Sequence, residues 1–444
     1  MNWKAALILV GGLIGGVALA QLAAWNPLIA LAVAVMATGA VIAIQRPVLF
    51  LYWAIGSVAL GQLGRIPPLK GGGPVLADLF LCALLGAWLV WVFWKRVSLP
   101  KYPTHLIWMG FLGVALLSLL FSPYALAQKE FVEAAAYWVR LLVYFSLFWI
   151  VPTLFKADQE LEKPFRVVLW TGAAVLALGI LQLVLLPDIG VLSGYGWDPH
   201  VGRFVSTFLD PNYLGGYLAF LLVFFFALNR KAPRVTFWLL IIGTLVAGVL
   251  TYSRSGYLAI LVVLAIIGFR YSWKLLLLAA VCIVPLALSI PRVAERVRGG
   301  FSLDQTAQDR ILSWKHALKI VEHYPVLGVG YNNYDRAQKE LNLVSPIGES
   351  HSSAGSDSSI LNVLATTGTV GFSLFVLGGI LVLKDALRVL REKKRKNAQV
   401  AAYVILIATP ALLINAFFVN ALFYPLILVG YAFFIGALYV GADE

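Results

Sequence analysis

Four short polar segments interrupt an otherwise apolar chain, and each carries residue types that can do chemistry. The first is Gly202-Arg203-Phe-Val-Ser-Thr-Phe-Leu-Asp210-Pro211-Asn212-Tyr213, leading into an apolar run. Asp-Pro-Asn suits a turn and a helix start, so helix capping and a functional role both stand for Asp210 and Asn212. The second is Thr251-Tyr252-Ser253-Arg254-Ser255-Gly256, a polar knot between two apolar runs. An arginine in such a place is costly unless it is paired, faces a ligand, or snorkels to an interface. The third is Arg140, inside an apolar run with no carboxylate partner nearby in that run; snorkelling and function are both open. The fourth is the stretch 291–357, which holds Arg310, His316, His323, Glu349, His351 and Asp357.

Two arginines with a carboxylate or imidazole nearby make a recognisable chemical kit. Guanidinium groups bind phosphate oxygens bidentately and neutralise a departing diphosphate. A carboxylate or imidazole can take the proton of an attacking hydroxyl. Asp357 and His351 are the candidate bases. Asp357 also fits a helix N-terminus within Ser-Asp-Ser-Ser, and the two roles can coexist. Arg203 and Arg254 are the principal diphosphate-binding candidates, with Arg140 and Arg310 beside them and Asp210, Asn212 and Tyr252 as supporting residues. No zinc motif, P-loop, nucleophile elbow or dinucleotide fingerprint is present, so no metal and no cofactor is expected.

The elements that must position these residues are membrane helices. Of 444 residues, 61% are hydrophobic and only 12% charged, against about 45–50% and 25% in soluble domains. A span needs about 20 mostly apolar residues. Candidates are 5–22, 27–44, 47–63, 75–94, 105–121, 137–154, 166–186, 212–228, 235–251, 256–270, 273–290, 358–383, 399–415 and 418–440, giving 12–14 spans in an all-α, polytopic transmembrane fold. The chain divides into spans within 1–290, an external loop 291–357, and spans within 358–444. The first span also resembles a signal peptide, with Ala18-Leu19-Ala20 before Gln21; both readings leave the later topology unchanged. Cys82 and Cys282 sit in apolar runs without metal or disulfide spacing.

The net charge of +13 is explained by loop asymmetry rather than nucleic acid. With the N-terminus inside, Lys4, Arg46, Lys95, Lys156, Arg230, Arg270 and the cluster Lys384–Lys396 all fall on the cytoplasmic side, while the short outer loops hold only Arg65, Lys70, Lys129, Arg203 and Arg254. Loops 187–211, 252–255 and 291–357 then share one outer face. Within 291–357, Ile311, Trp314, Leu318 and Val321 recur at helical spacing, predicting an amphipathic helix along the membrane surface. A second, polar helix is expected near 333–341. An external face has no ATP, so group transfer there needs a donor already activated, such as a lipid-linked diphosphate sugar.

These motifs resemble the O-antigen ligase/polymerase superfamily of bacterial membrane glycosyltransferases. The resemblance rests on Gly202–Asn212, Thr251–Gly256, Arg310-Ile-Leu-Ser-Trp314 with Tyr324-Pro-Val-Leu-Gly-Val-Gly330, and Ser356–Leu361 with Gly368-Thr-Val-Gly371. It implies a GT-C-like helical fold in the bacterial inner membrane with both termini cytoplasmic and a periplasmic active face. It implies a metal-independent enzyme moving glycan from undecaprenyl diphosphate to a glycan or lipid acceptor, with Arg203 and Arg254 on the diphosphate and the base at the end of the loop. It leaves room for polysaccharide-assembly partners. Ligases of the family usually carry histidine about 11 residues before the Gly-x-x-Gly element; here that position is Asp357, and His351 lies earlier. This departure favours an O-antigen or exopolysaccharide polymerase over ligation to a lipid A core or protein O-glycosylation. A small-solute transporter is the competing class, against which stand the one-sided polar residues and the lack of a charged relay across the spans.

Overall fold

The computed structural model describes residues 45–66, 73–232, 234–271, 289–301, 304–343, 355–392 and 395–442, with 42, 273 and 277. The spans expected at 5–22 and 27–44, most of 273–290, and His351 lie outside the described residues. The protein is an all-α polytopic membrane protein, and no strand occurs among the described residues beyond two isolated bridges.

In chain order the helices are α1 (Pro47–Ser57), α2 (Leu76–Lys95), α3 (Pro103–Leu120), α4 (Gln128–Phe145), α5 (Leu147–Leu154), α6 (Glu162–Leu185), α7 (Pro211–Lys231), α8 (Val235–Leu250) and α9 (Arg254–Tyr271). They continue with α10 (Pro291–Phe301), α11 (Gln305–His323), α12 (Tyr334–Glu340), α13 (Ser359–Arg391), α14 (Lys396–Phe418) and α15 (Pro425–Ala437). Eight helical segments among the described residues are long and apolar enough to cross a membrane, and α1, α8 and α15 are shorter apolar helices. Apolar side chains face outward where lipid would be their solvent: Phe93 is 80% and Phe269 78% exposed.

Helix α7 is the hub. Every residue from Leu214 to Phe225 is buried, the mark of a helix enclosed on all sides. It packs against α8, α9 and α14. Its N-terminus, Asp210-Pro211-Asn212-Tyr213, therefore emerges in the middle of one end of the bundle. Pro211 at the first helical position starts it, and Asp210 caps it by accepting from the amides of Asn212 (2.6 Å) and Tyr213 (3.2 Å).

The two ends of the bundle differ in content. At one end Asp158 accepts from the amides of Asn397 (2.9 Å) and Ala398 (2.8 Å), Lys231 pairs with Glu162 (3.0 Å), and Asp385 accepts from Thr104 (2.6 Å) and Tyr439 (2.8 Å). These are the segments whose lysines and arginines mark a cytoplasmic side in the sequence. The opposite end gathers segments 188–213, 251–254, 304–343 and 355–359.

Helix α13 is broken at Gly368, whose backbone (φ 65°, ψ −173°) is open only to glycine. The break frees two carbonyls, and the loop after α11 uses them: Val329 donates to Ala365 O (3.0 Å) and Gly330 to Thr366 O (3.1 Å), while Thr369 donates back to Pro325 O (2.7 Å). A Cβ on Gly368 would run into the carbonyl of Val326. This main-chain clasp fixes α11 and α12 over the beginning of α13. The expected amphipathic helix is present within α11; part of its apolar surface packs on protein, while Leu318 of the expected stripe is exposed. Trp314 lies against Phe417 (4.7 Å) and Phe418 (5.8 Å), and Ala317 and Ile320 are buried with Val329, Tyr334 and Ala365. The polar helix expected near 333–341 is α12.

Candidate active site

The polar segments that the sequence separates by tens of residues meet at one end of α7. Helices α7 and α9 touch through glycine: a Cβ on Gly215 would stand 2.8 Å from the Cα of Gly256. That close approach sets Asn212 beside the turn before α9, where Ser253 Oγ donates to Asn212 Oδ1 (2.7 Å). Asn415 Nδ2 also reaches the carbonyl of Asn212 (3.4 Å). Asn212 is thus a joint between α7, α9 and α14.

Arg203 is buried, at 8% exposure. Its Nε donates to Thr251 O (2.8 Å) and its Nη2 to Tyr252 O (3.2 Å). Tyr252 presents that carbonyl from a left-handed backbone conformation (φ 52°), uncommon for a bulky residue. The Tyr252 ring lies under the Arg292 guanidinium, 4.7 Å from its centroid. Arg203 therefore ties the segment before α7 to the turn before α9. Gln182 of α6 holds the same segment: its Oε1 accepts from the amides of Val205 (3.1 Å) and Ser206 (3.2 Å), and its Nε2 donates to Arg203 O (3.3 Å).

Arg254 pairs through Nη2 with Asp304 (3.0 Å), and its Nη1 is buried without a hydrogen-bond partner. Asp304 is also the N-cap of α11, accepting from Ala307 N (3.0 Å). The ion pair joins α9 to the external helix that carries Arg310. Arg310 feels Asp357, Arg254, Asp210 and Asp304 together, and burial pulls its guanidinium below the ordinary value. Asp357 precedes α13; its amide donates to Ser313 Oγ of α11 (3.0 Å). Burial pushes its carboxyl above the ordinary aspartate value, Arg310 opposes that, and Asp309 adds to it. Asp210 is likewise raised by burial, against the pull of the Asn212 and Tyr213 amides and of Arg203.

Arg203, Arg254, Arg310, Asp210, Asn212, Tyr252 and Asp357 are thus brought into one neighbourhood. Arg140 is not placed with them. It is engaged by Asp78 of α2 at 2.7 Å, which also accepts from Tyr144 (2.8 Å), and it lines a cavity beside the cluster. His316 approaches Gln338 (3.3 Å) and His323 the carbonyl of Lys319 (2.8 Å), so neither points to the cluster through these contacts. His351 lies outside the described residues.

Asp198, His200 and Asp210 each offer a ligand atom, and these atoms lie within 4.8 Å of one another. Asp210 already spends Oδ1 on the α7 cap, which leaves its other oxygen for a cation.

Sequence reasoning passed over Asp304, Gln182 and Ser313. An aspartate one residue before a helical pattern is a cap signal, and a lone glutamine in an apolar span signals a polar partner. Nothing in the sequence marks Ser313, whose role comes from where α11 lands.

Residues 237–376 match the family model described as O-antigen ligase. The matched stretch takes in Arg254, Arg310, the clasp at Gly328 and Gly368, and Asp357; Arg203 and Asp210 lie before it. No curated protein matches the chain.

Proposed function

We propose that this chain, which matches the O-antigen ligase family model over residues 237–376, is a glycan polymerase that joins repeat units carried on undecaprenyl diphosphate at the outer face of the inner membrane. The family supports glycan transfer by a glycosyltransferase-like membrane enzyme. The diphosphate donor is supported by Arg254 and Arg310 lying within electrostatic reach of each other and of Asp210 and Asp357; the polymerase over the ligase is favoured by Asp357 standing where ligases of the family usually carry histidine.

The chemistry follows from that arrangement. The diphosphate of the donor would sit on Arg310 and the unpartnered Nη1 of Arg254, displacing Asp304 from Nη2. Arg203 would act mainly through the geometry it holds, because its Nε and Nη2 are bonded to the Thr251 and Tyr252 carbonyls. The acceptor hydroxyl attacks the anomeric carbon, the carbon–oxygen bond to the diphosphate breaks, and undecaprenyl diphosphate leaves with its charge neutralised by arginine. The hydroxyl proton passes to the base, Asp357 or His351. No cofactor enters these steps. The lysine- and arginine-rich end of the bundle would face the cytoplasm, with both termini there.

Deletion of the gene, followed by separation of surface and lipid-linked glycans by size, tests the reading. A polymerase leaves single repeat units and loses long chains, and complementation with Arg254→Ala fails to restore them. Long chains that persist on the lipid carrier would indicate a ligase instead. Unchanged glycans would indicate a transporter.

A further inference from the structure

Beside the arginine cluster lies a cavity of about 540 Å³ that none of Arg203, Arg254, Arg310 or Asp357 lines. Its walls come from α4, α12, the turn before α12, the start of α13 and the segment before α15. Volumes of about 300–1,000 Å³ are typical of small-ligand sites.

The wall chemistry discriminates among ligands. Four basic residues reach it, and three of them are paired with carboxylates. Arg140 pairs with Asp78 (2.7 Å), Arg336 with Glu340 (2.8 Å), Lys339 with Asp335 (2.6 Å), and Arg65 donates to Gln62 (2.7 Å). Glu130, Glu133 and Asp335 line the same wall, and Arg336 also faces Glu130 (3.7 Å), so the wall offers an anion little net positive charge. The wall also holds uncharged groups and flat rings: Tyr331, Tyr137, and the stacked pair Tyr213 and Tyr424, 4.3 Å between centroids. Asn333, another wall residue, is 4% exposed, and its Nδ2 is buried without a partner. Amides, phenols and ring faces suit a neutral sugar, whose hydroxyls need hydrogen bonds and whose C–H faces pack on aromatic rings.

The cavity approaches the cluster through the neighbours of Asp357. Asn362 lines the wall, and its Oδ1 accepts from the amide of Ser356, the residue before Asp357 (3.4 Å). Tyr213 lines the wall too, and both Asp210 and Asp357 act on it electrostatically. Asp357 thus lies within electrostatic reach of Arg310 and next in the chain to a residue held by the cavity wall.

We infer that the cavity is the acceptor site, holding an uncharged sugar of the acceptor glycan so that its hydroxyl reaches Asp357, while the donor diphosphate occupies the arginines. This rests on the glycan-transfer reading proposed above, and it adds two separate subsites and the neutral character of the acceptor sugar.

The test uses the full-length protein in lipid nanodiscs and two probes measured separately: undecaprenyl diphosphate, and the free repeat-unit oligosaccharide released from the lipid carrier and labelled fluorescently. Glu133→Trp fills the mouth of the cavity from an exposed position and so carries little folding risk; Asn362→Ala removes a wall amide. Both are expected to weaken oligosaccharide binding by about tenfold or more and to leave undecaprenyl diphosphate binding within about twofold. Arg254→Ala should show the reverse pattern. Oligosaccharide affinity unchanged in both cavity variants overturns the acceptor assignment and leaves the diphosphate site standing. A clear preference for an acidic oligosaccharide over a neutral one overturns the neutral character. Undecaprenyl diphosphate that fails to bind wild type, or binds Arg254→Ala equally well, removes the reading on which the inference rests.

Discussion

Arg310 differs from its two neighbours because no carboxylate or carbonyl is bonded to it among the described residues. It is charged, half-buried and close to Asp357, which makes it the guanidinium most ready for an incoming anion. Arg254 is half committed to Asp304, and Arg203 is bonded to main-chain carbonyls. Arg254→Ala and Arg310→Ala should each lower turnover by about 10²–10³, the cost of losing one group aimed at developing charge, with membrane insertion unchanged. Arg203→Ala should abolish activity through loss of positioning, with a lower thermal midpoint as well. Near-wild-type glycan output from Arg254→Ala would falsify the diphosphate clamp.

Asp357 gives a prediction in pH. A base must be ionised, and burial raises this carboxyl, so activity should fall away on the acid side at a pH above the ordinary aspartate range. Arg310 favours the ionised form; Arg310→Gln should therefore move the acid limb of kcat/KM to still higher pH. A limb that stays in place, or moves down, removes Asp357 from the role. Asp357→Asn is expected to be worse than His351→Ala, and the opposite order would assign the base to His351. Chelators bear on Asp198, His200 and Asp210. Turnover is expected to survive EDTA, and inhibition reversed by one divalent ion would show that this group holds a working metal.

Two glycine devices matter at the scale of elements. Gly215 against Gly256 lets α7 and α9 approach closely enough for Ser253 to reach Asn212. Gly368 breaks α13 so that its carbonyls can hold the Pro325–Gly330 loop. Gly368→Ala would force a side chain into a backbone region essentially closed to it, at a cost of order 1–3 kcal/mol before any clash. Because the clasp also positions α11, activity should fall more than the thermal midpoint suggests. A variant with normal glycan output would show that the clasp does not hold Arg310 in place. The same break divides α13, so that residues 369–391 after it, about 35 Å at 1.5 Å per residue, already suffice to cross a hydrocarbon core of about 30 Å. Its first turns belong to the site rather than to the span.

For the whole molecule, the separation of basic segments from site segments predicts opposite accessibility. In a background with Cys82 and Cys282 replaced, Lys319→Cys should react with a membrane-impermeant maleimide added from outside. Arg388→Cys should react only after the membrane is opened. The reverse pattern would put the arginine cluster on the side supplied with nucleotides and undercut the lipid-linked donor.

The sequence by itself determined the solvent and the inventory. Hydrophobic runs of span length can only be membrane helices, because a bilayer leaves backbone groups no other partners. Charge alternation between loops then predicted which polar segments share an end, and Arg203, Arg254, Arg310 and Asp357 were all visible as chemistry out of place in an apolar chain. Their relations were not visible. Arg140 has no carboxylate in its own span, yet Asp78 meets it from α2. Trp314 sits on an amphipathic stripe that suits lipid, yet Phe417 and Phe418 cover it. Asp304, Gln182 and Ser313 acquired meaning only when α11 and α6 were in place. Spacing along one chain reports the period of an element, whereas a partner from another element depends on crossing angle and register. Those were decided by close contacts between backbones, at Gly215 with Gly256 and at Gly328 with Gly368, that only the tertiary structure shows.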